Sequence, residues 1–270
     1  MHLKRWLTDI VAIPILIYII GFGPRWLFCV LLLLASLVGL SEFYALTAAN
    51  LPRFVRIAGY VLTILLFALF YTRQVLIIPV IIVLWAFVPL AFFMLTHPSP
   101  NQQWTADMGK SVLGPVYIVL PLSLLWMIDL QPHGRLWIFF LLVVSFVNDT
   151  GAFYFGRLFG KHKLYEAISP GKTWEGAVGG LLCSVIAALW FLQILRLHPI
   201  DIWMVVLIVF LSFASQLGDL AESMLKRNHG VKDSGGILPG HGGLLDRIDG
   251  LLFCIPVLYL FLNWSMLQRT

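Results

Sequence analysis

Long uncharged stretches recur from one end of this 270-residue sequence to the other, and a water-soluble core has no use for so many. A bilayer's hydrocarbon core is about 30 Å thick and takes about 20 apolar residues of helix to cross. Only helices and closed barrels satisfy their backbone polar groups there, and runs of this length favour helices. The runs predict about nine spans, at 10–22, 26–48, 54–72, 75–96, 111–129, 136–156, 176–196, 202–225 and 250–267. The first is short and carries Pro14. With 60% hydrophobic and 11% charged residues, a soluble domain is excluded. The expected fold is an all-α polytopic integral membrane protein.

Nine spans would put the chain ends on opposite sides and sort the 18 Lys and Arg residues thirteen to five. The richer side holds Lys4, Arg5, the stretch from Arg157 to Lys172, and the stretch from Lys226 to Arg247. Cytoplasmic loops carry the excess of Lys and Arg, so that side, with its 157–175 and 226–249 loops, is expected to be cytoplasmic. Lys4 and Arg5 precede an apolar run with no small-residue cleavage site, which predicts a retained first helix. Cys29, Cys183 and Cys254 lie in apolar runs without C-x-x-C spacing, so neither a disulfide nor a zinc site is expected. Glu42, Asp129 and Asp201 fall at predicted span ends and read as edge residues in contact with the interface or water.

Polar chemistry is concentrated late in the chain. Ser223 to Asp249 reads SMLKRNHGVKDSGGILPGHGGLLDRID, between two apolar runs. Asp219, Glu222, Ser223 and Lys226 fall at i, i+3, i+4 and i+7 and share one helix face. Asp246 and Asp249, at i and i+3, share another. Carboxylates at two helix ends suit a hard divalent cation such as Mg²⁺, which completes its shell with water and phosphate oxygens. Asp219, Asp246, Asp249 and Asp149 are the expected metal ligands. Lys172, Lys226, Arg227, Lys232 and Arg247 are cations that suit phosphate groups, and Gly242 and Gly243 beside His241 would let backbone N–H groups approach them. Asn148 and Asp149 lie inside the sixth apolar run, where an acid is costly and normally faces a cavity or partner. Gly156 and Gly160 form a G-x-x-x-G and predict close helix packing. Gly171-Lys172-Thr173 is no Walker A motif, because Glu166 stands where its first Gly belongs; it is a turn offering an ammonium and a hydroxyl.

The run S-x-L-K-R-x4-K-D-x-G-x2-L-P-x-H-G-G-L-x-D-R-I-D, with the stretch NDTGAFYFGRLFGKHKLYEAISPGKTWEG from Asn148 to Gly176, resembles the phosphatidate cytidylyltransferases (CDP-diacylglycerol synthases). The resemblance implies transfer of CMP from CTP to phosphatidate, giving CDP-diacylglycerol and pyrophosphate for phospholipid synthesis. It also implies a multi-pass protein of the inner (plasma) membrane, a homodimer, and no nucleic-acid partner. Catalytic roles fall to Lys172, Lys226, Arg227, Asp246 and Arg247. Substrate contacts fall to these cations with Thr173, Ser223, Lys232, His241, Gly242 and Gly243. The chain departs from the pattern at Gly171, where a Lys would add a charge. Residues 136–270 are then the catalytic region, and 1–135 serve support, dimerisation or lipid access. A secondary transporter would instead call for inverted repeats and broken helices at the midplane. The polar residues here crowd toward one face, and no half-to-half repeat is present.

Overall fold

The computed structural model describes residues 13–96, 102–237 and 242–267. Its helices, in chain order, are α1 (13–21), α2 (Arg25–Thr47), α3 (Arg53–Tyr71), α4 (Ile78–Thr96, entered through a 3₁₀ turn at Val75–Ile77), α5 (Gln102–Gly114), α6 (Leu120–Asp129), α7 (Gly134–Phe159), α8 (Trp174–Leu195), α9 (Ile202–Asn228) and α10 (Leu245–Leu267). Among the described residues, seven helical segments are long and apolar enough to cross a membrane. They correspond to the second through eighth expected spans. The first expected span lies partly outside the described residues, and the ninth is the 23-residue helix α10. Large apolar side chains such as Leu76 (90% exposed) and Trp190 (68%) point outward, as lipid-facing residues do. The chain is an all-α, multi-pass membrane protein.

Two local features depart from the apolar pattern. The fifth span begins at Gln102 rather than 111 and is interrupted by a π-turn at Pro115–Val119. Pro115 has no N–H to give and its ring crowds the preceding turn, so the helical ladder is re-registered there. The 157–175 stretch, expected as a loop with a turn at Gly171-Lys172-Thr173, instead contains a two-stranded antiparallel hairpin, β1 (Lys163–Tyr165) and β2 (Ser169–Thr173), which pairs Lys163 with Thr173 and Tyr165 with Ser169 and holds Gly171, Lys172 and Thr173 in its second strand.

The chain divides into two compact units, 1–126 with 233–245, and 127–232 with 246–270. In the first, Leu40, Phe43, Tyr44, Leu66, Phe67 and Ile118 are fully buried, and the Tyr44 hydroxyl donates to the Ser111 carbonyl at 3.0 Å. Gly114 lets α5 press on α2: a Cβ there would stand 2.9 Å from both Leu40 Cδ1 and Phe43 Cδ1. In the second unit α7 and α8 lie almost backbone to backbone. A Cβ on Gly180 would meet the Asn148 carbonyl at 2.5 Å, one on Gly176 the Ala152 carbonyl at 2.7 Å, and one on Gly151 the Gly180 Cα at 3.1 Å. Small residues at four-residue spacing permit this approach. Gly156 also serves close packing, against Thr173 and Gly176.

Two edge residues differ from expectation. Asp129 is 2% exposed and faces Arg135 Nε at 3.7 Å rather than water. Glu42 is 4% exposed and is turned inward onto backbone amides of the 233–245 segment. An ionised carboxyl at a span end finds fixed N–H donors as good a solvent as the interface. Asp201 behaves as an end residue should: it is exposed, and its carboxylate caps α9 by accepting from Met204 N at 2.8 Å.

Candidate active site

The 127–232 and 246–270 unit assembles the polar residues. The hairpin comes first. β2 runs straight into α8, and Thr173 ends the strand as the helix N-cap, its buried hydroxyl oxygen accepting from Gly176 N at 3.1 Å. Glu175, in the first turn of α8, accepts from the backbone N–H of Lys161 (3.1 Å) and His162 (3.2 Å) and meets His162 Nδ1 at 2.6 Å. Arg227 Nε donates to the Ile168 carbonyl at 3.3 Å, tying the hairpin's turn to the end of α9. The hairpin is thus a fixed arm, and Lys172 is carried on it.

Lys172 Nζ lies 2.6 Å from Asp219 Oδ2 on α9. One turn on, Ser223 Oγ donates to Asp219 Oδ1 at 3.4 Å. Lys226, a further turn along the same face, donates to Glu222 Oε2 at 2.5 Å and to Asp246 Oδ1 at 2.6 Å. The shared helix face read from sequence is therefore real, and Asp246 at the start of α10 joins it through Lys226. Asp249 enters by a backbone contact: a Cβ on Gly218 would stand 2.4 Å from the Asp249 carbonyl and 2.9 Å from Gly250 Cα. Glycine on both helices lets α9 and α10 touch there. Asp149 and Asp249 each stand within electrostatic reach of Asp219, with Lys172 near Asp149 and Lys226 near Asp249.

Behind this group the interior is tied by neutral polar contacts. The buried Asn148 side-chain oxygen accepts from Ser212 Oγ (2.7 Å) and Gln216 Nε2 (3.0 Å), and Gln216 Nε2 also donates to the Ala177 carbonyl at 3.0 Å. Asn148 thereby links α7, α8 and α9. Its Nδ2 points to Asp149 Oδ1 at 3.5 Å.

The other expected residues differ in exposure. Arg227, Lys232 and Arg247 are exposed. Gly242 adopts φ 84°, a left-handed conformation that glycine reaches without strain. Gly243 is buried, where a Cβ would collide with Ser234 Oγ at 2.1 Å and Glu42 Oε2 at 2.7 Å. Both belong to the other unit. His241 lies outside the described residues. Three acids not singled out as site residues from sequence are now prominent: Glu42, Glu175, and Glu222, which is 1% exposed and has no partner for Oε1. Glu222 was within reach of periodicity, since it shares the Asp219 and Lys226 face. Glu42 offered only an acid in an apolar run.

Among the described residues, no three His, Cys, Asp or Glu side chains converge as a ready metal-ligating group. Asp219 and Asp246 are instead held by lysines. The charge balance nevertheless suits a cation. Five carboxyl groups (Asp149, Asp219, Glu222, Asp246, Asp249) outnumber two ammonium groups (Lys172, Lys226). All the offered donors are oxygens, the set a hard divalent ion takes. Bringing a polyphosphate to such a cluster without further positive charge would be repulsive.

Helix ends in this apolar, multi-helix chain thus bring an acid–lysine cluster together. A sequence profile of the Cytidylyltransferase family matches residues 3–265, and the chain belongs to that family. It is similar to proteins named phosphatidate cytidylyltransferase from Staphylococcus epidermidis (36% identical over 261 residues, 96% of this chain and 98% of the relative) and Staphylococcus aureus (33% over 264 residues, 97% and 99%). A third relative of that name, from Staphylococcus haemolyticus, is 35% identical over 261 residues, again 96% of this chain and 98% of the relative.

Proposed function

We propose that this chain transfers the cytidylyl group of CTP to phosphatidate, releasing pyrophosphate and leaving CDP-diacylglycerol in the bilayer. The observation that carries this is the paired arrangement of Lys172 on Asp219 and Lys226 on Asp246 at 2.6 Å, in a family-matched chain. Both substrates are phosphate anions, so the obstacle to reaction is their mutual repulsion. Positioning and charge neutralisation answer it. Phosphatidate needs no strong general base, since a phosphomonoester's second pKa is about 6. Its oxygen attacks the α-phosphorus in line, the bond to the β-phosphate oxygen breaks, and pyrophosphate carries the charge away. Lys172 and Lys226 would exchange carboxylate partners for phosphate oxygens, with Arg227, Lys232 and Arg247 around them.

Mg²⁺ or a similar divalent ion would be held by Asp219 and Asp246, with Asp249 and Asp149 in support. When bound, it would neutralise the departing pyrophosphate. Nine spans, a cytoplasmic site, a bacterial inner-membrane location and a homodimer complete the proposal. One contact supports the proposed number of crossings between α2 and α10. Glu42 at the end of α2 hydrogen-bonds to amides at the start of α10, so an even number of crossings must separate them. The segments between are α3, α4, α5 with α6, α7, α8 and α9, six in all.

The test is to incubate the purified protein with CTP labelled at the α-phosphate and a panel of lipids. Label should enter lipid with phosphatidate alone, with one pyrophosphate formed per lipid labelled. Label in no lipid, or equal label with diacylglycerol, would refute the reaction.

A further inference from the structure

Glu42 is an acid in the second apolar helix, far in sequence from every residue assigned to the chemistry. Glu42 is 4% exposed. Oε1 accepts from Leu244 N at 3.0 Å and Oε2 from Leu245 N at 2.9 Å, with Ser234 Oγ donating to Oε2 at 3.4 Å. Leu245 is the first residue of α10, so the carboxylate sits at the positive end of that helix and takes up amides that have no partner within it. Two glycines shape the surroundings: a Cβ on Gly235 would stand 2.7 Å from Glu42 Oε1, and one on Gly243 2.7 Å from Oε2. Both ends of the glycine-rich segment, Ser234–Gly235 and Gly243–Leu245, therefore close on one buried carboxylate.

We infer that Glu42 is a positioning residue of the transfer reaction, holding the two ends of the 233–245 segment together and fixing the start of α10, where Asp246 and Arg247 follow. This rests on the proposed reaction for its catalytic part. It also gives Gly243 a task besides approaching phosphate: with Gly235, it makes room for the carboxylate. Glu42 touches no reacting atom and acts through the backbone that leads into Asp246. A carboxylate is needed because three donors converge on its two oxygens. Glutamine keeps the shape but turns an NH₂ group toward one of those donors.

The experiment compares Glu42→Gln, Glu42→Ala and Gly243→Ala with the unaltered full chain in detergent micelles, with two readouts. The first is the rate of tryptic cleavage after Lys232, which is exposed at the edge of the segment. Release of the segment should raise it about tenfold or more in Glu42→Ala. The second is the split between kcat and KM for CTP. Misplacing the start of α10 should lower kcat about a hundredfold in Glu42→Gln, with KM for CTP within about threefold of the unaltered chain. Unchanged cleavage and unchanged kcat in Glu42→Gln and Glu42→Ala would overturn the inference. So would equal losses of kcat, CTP affinity and unfolding resistance, which mark general misfolding. If Glu42→Ala does not fold, Gly243→Ala decides, because its Cβ must push the segment off Glu42; unaltered kcat there would be fatal. An unaltered chain that transfers no label to lipid would sink the proposed reaction alone, since the cleavage rate reads the tie without it.

Discussion

Removing the Lys226 ammonium should cost stability as well as activity. Its Nζ stands 2.5 Å from Glu222 Oε2 and 2.6 Å from Asp246 Oδ1, and the side chains of Lys226, Glu222 and Asp246 are 13%, 1% and 12% exposed. At an effective dielectric constant of about 20, each pair attracts by about 6 kcal/mol, most of which offsets the loss of hydration. Taking away one member of a buried pair typically costs about 3–5 kcal/mol, because the remaining charge is stranded. The chain can escape by protonating Glu222. Moving a carboxyl from its ordinary value near 4.3 to neutral at pH 7 costs about 3.7 kcal/mol, which bounds the loss. Lys226→Met is therefore expected to lower unfolding free energy by about 3–4 kcal/mol, measured by titrating SDS into mixed micelles. Lys226→Met combined with Glu222→Gln should recover about half of that, since no charge is stranded at Glu222. Activity should stay low in both. A loss below about 1 kcal/mol for Lys226→Met, the scale of a solvated surface pair, would refute this account of the cluster.

Gly218→Ala places a Cβ 2.4 Å from the Asp249 carbonyl, so α9 and α10 must part; a loss of about 1–3 kcal/mol and a sharp fall in turnover are expected, and unaltered behaviour in both assays would contradict the contact. Chelation of divalent ions should abolish transfer and added Mg²⁺ restore it, with Asp219→Asn and Asp246→Asn each reducing turnover by about a hundredfold or more. Full activity of the metal-stripped protein would remove the metal from the mechanism. In a chain whose three cysteines are replaced, Asn228→Cys should react with an impermeant thiol reagent only after cells are opened; labelling of intact spheroplasts would reverse the proposed topology.

The helical content and the acid–lysine face of α9 were legible because both are periodic: spans by length of apolar run, and Asp219, Glu222, Ser223 and Lys226 by the helical turn. Pairing Lys226 with Asp246 followed from neither period, since it depends on where α10 begins. Glu42 was illegible for the same reason at longer range; its partners Leu244 and Leu245 lie 202 and 203 residues away and offer backbone amides, which every residue has. The hairpin escaped notice because SPGKT carries Pro and Gly, residues that speak against strands. Here they occur in a two-stranded ribbon with open edges, where the missing N–H of Pro170 costs little. Glycines 151, 176, 180 and 218 carried the most hidden information. A helical glycine reads as a weak point until a second backbone is seen against it.

The claim that the site works by positioning and neutralising anions, in one displacement, is tested most directly by stereochemistry at phosphorus. CTP made chiral at the α-phosphorus by sulfur substitution would be turned over with phosphatidate, and the configuration of the thio-CDP-diacylglycerol read by ³¹P NMR. A single in-line attack by the lipid phosphate inverts the centre, and inversion is the predicted result. Retention requires two displacements through a cytidylylated side chain. That result would contradict the account and turn attention to Ser223, Lys226 and His241 as nucleophiles.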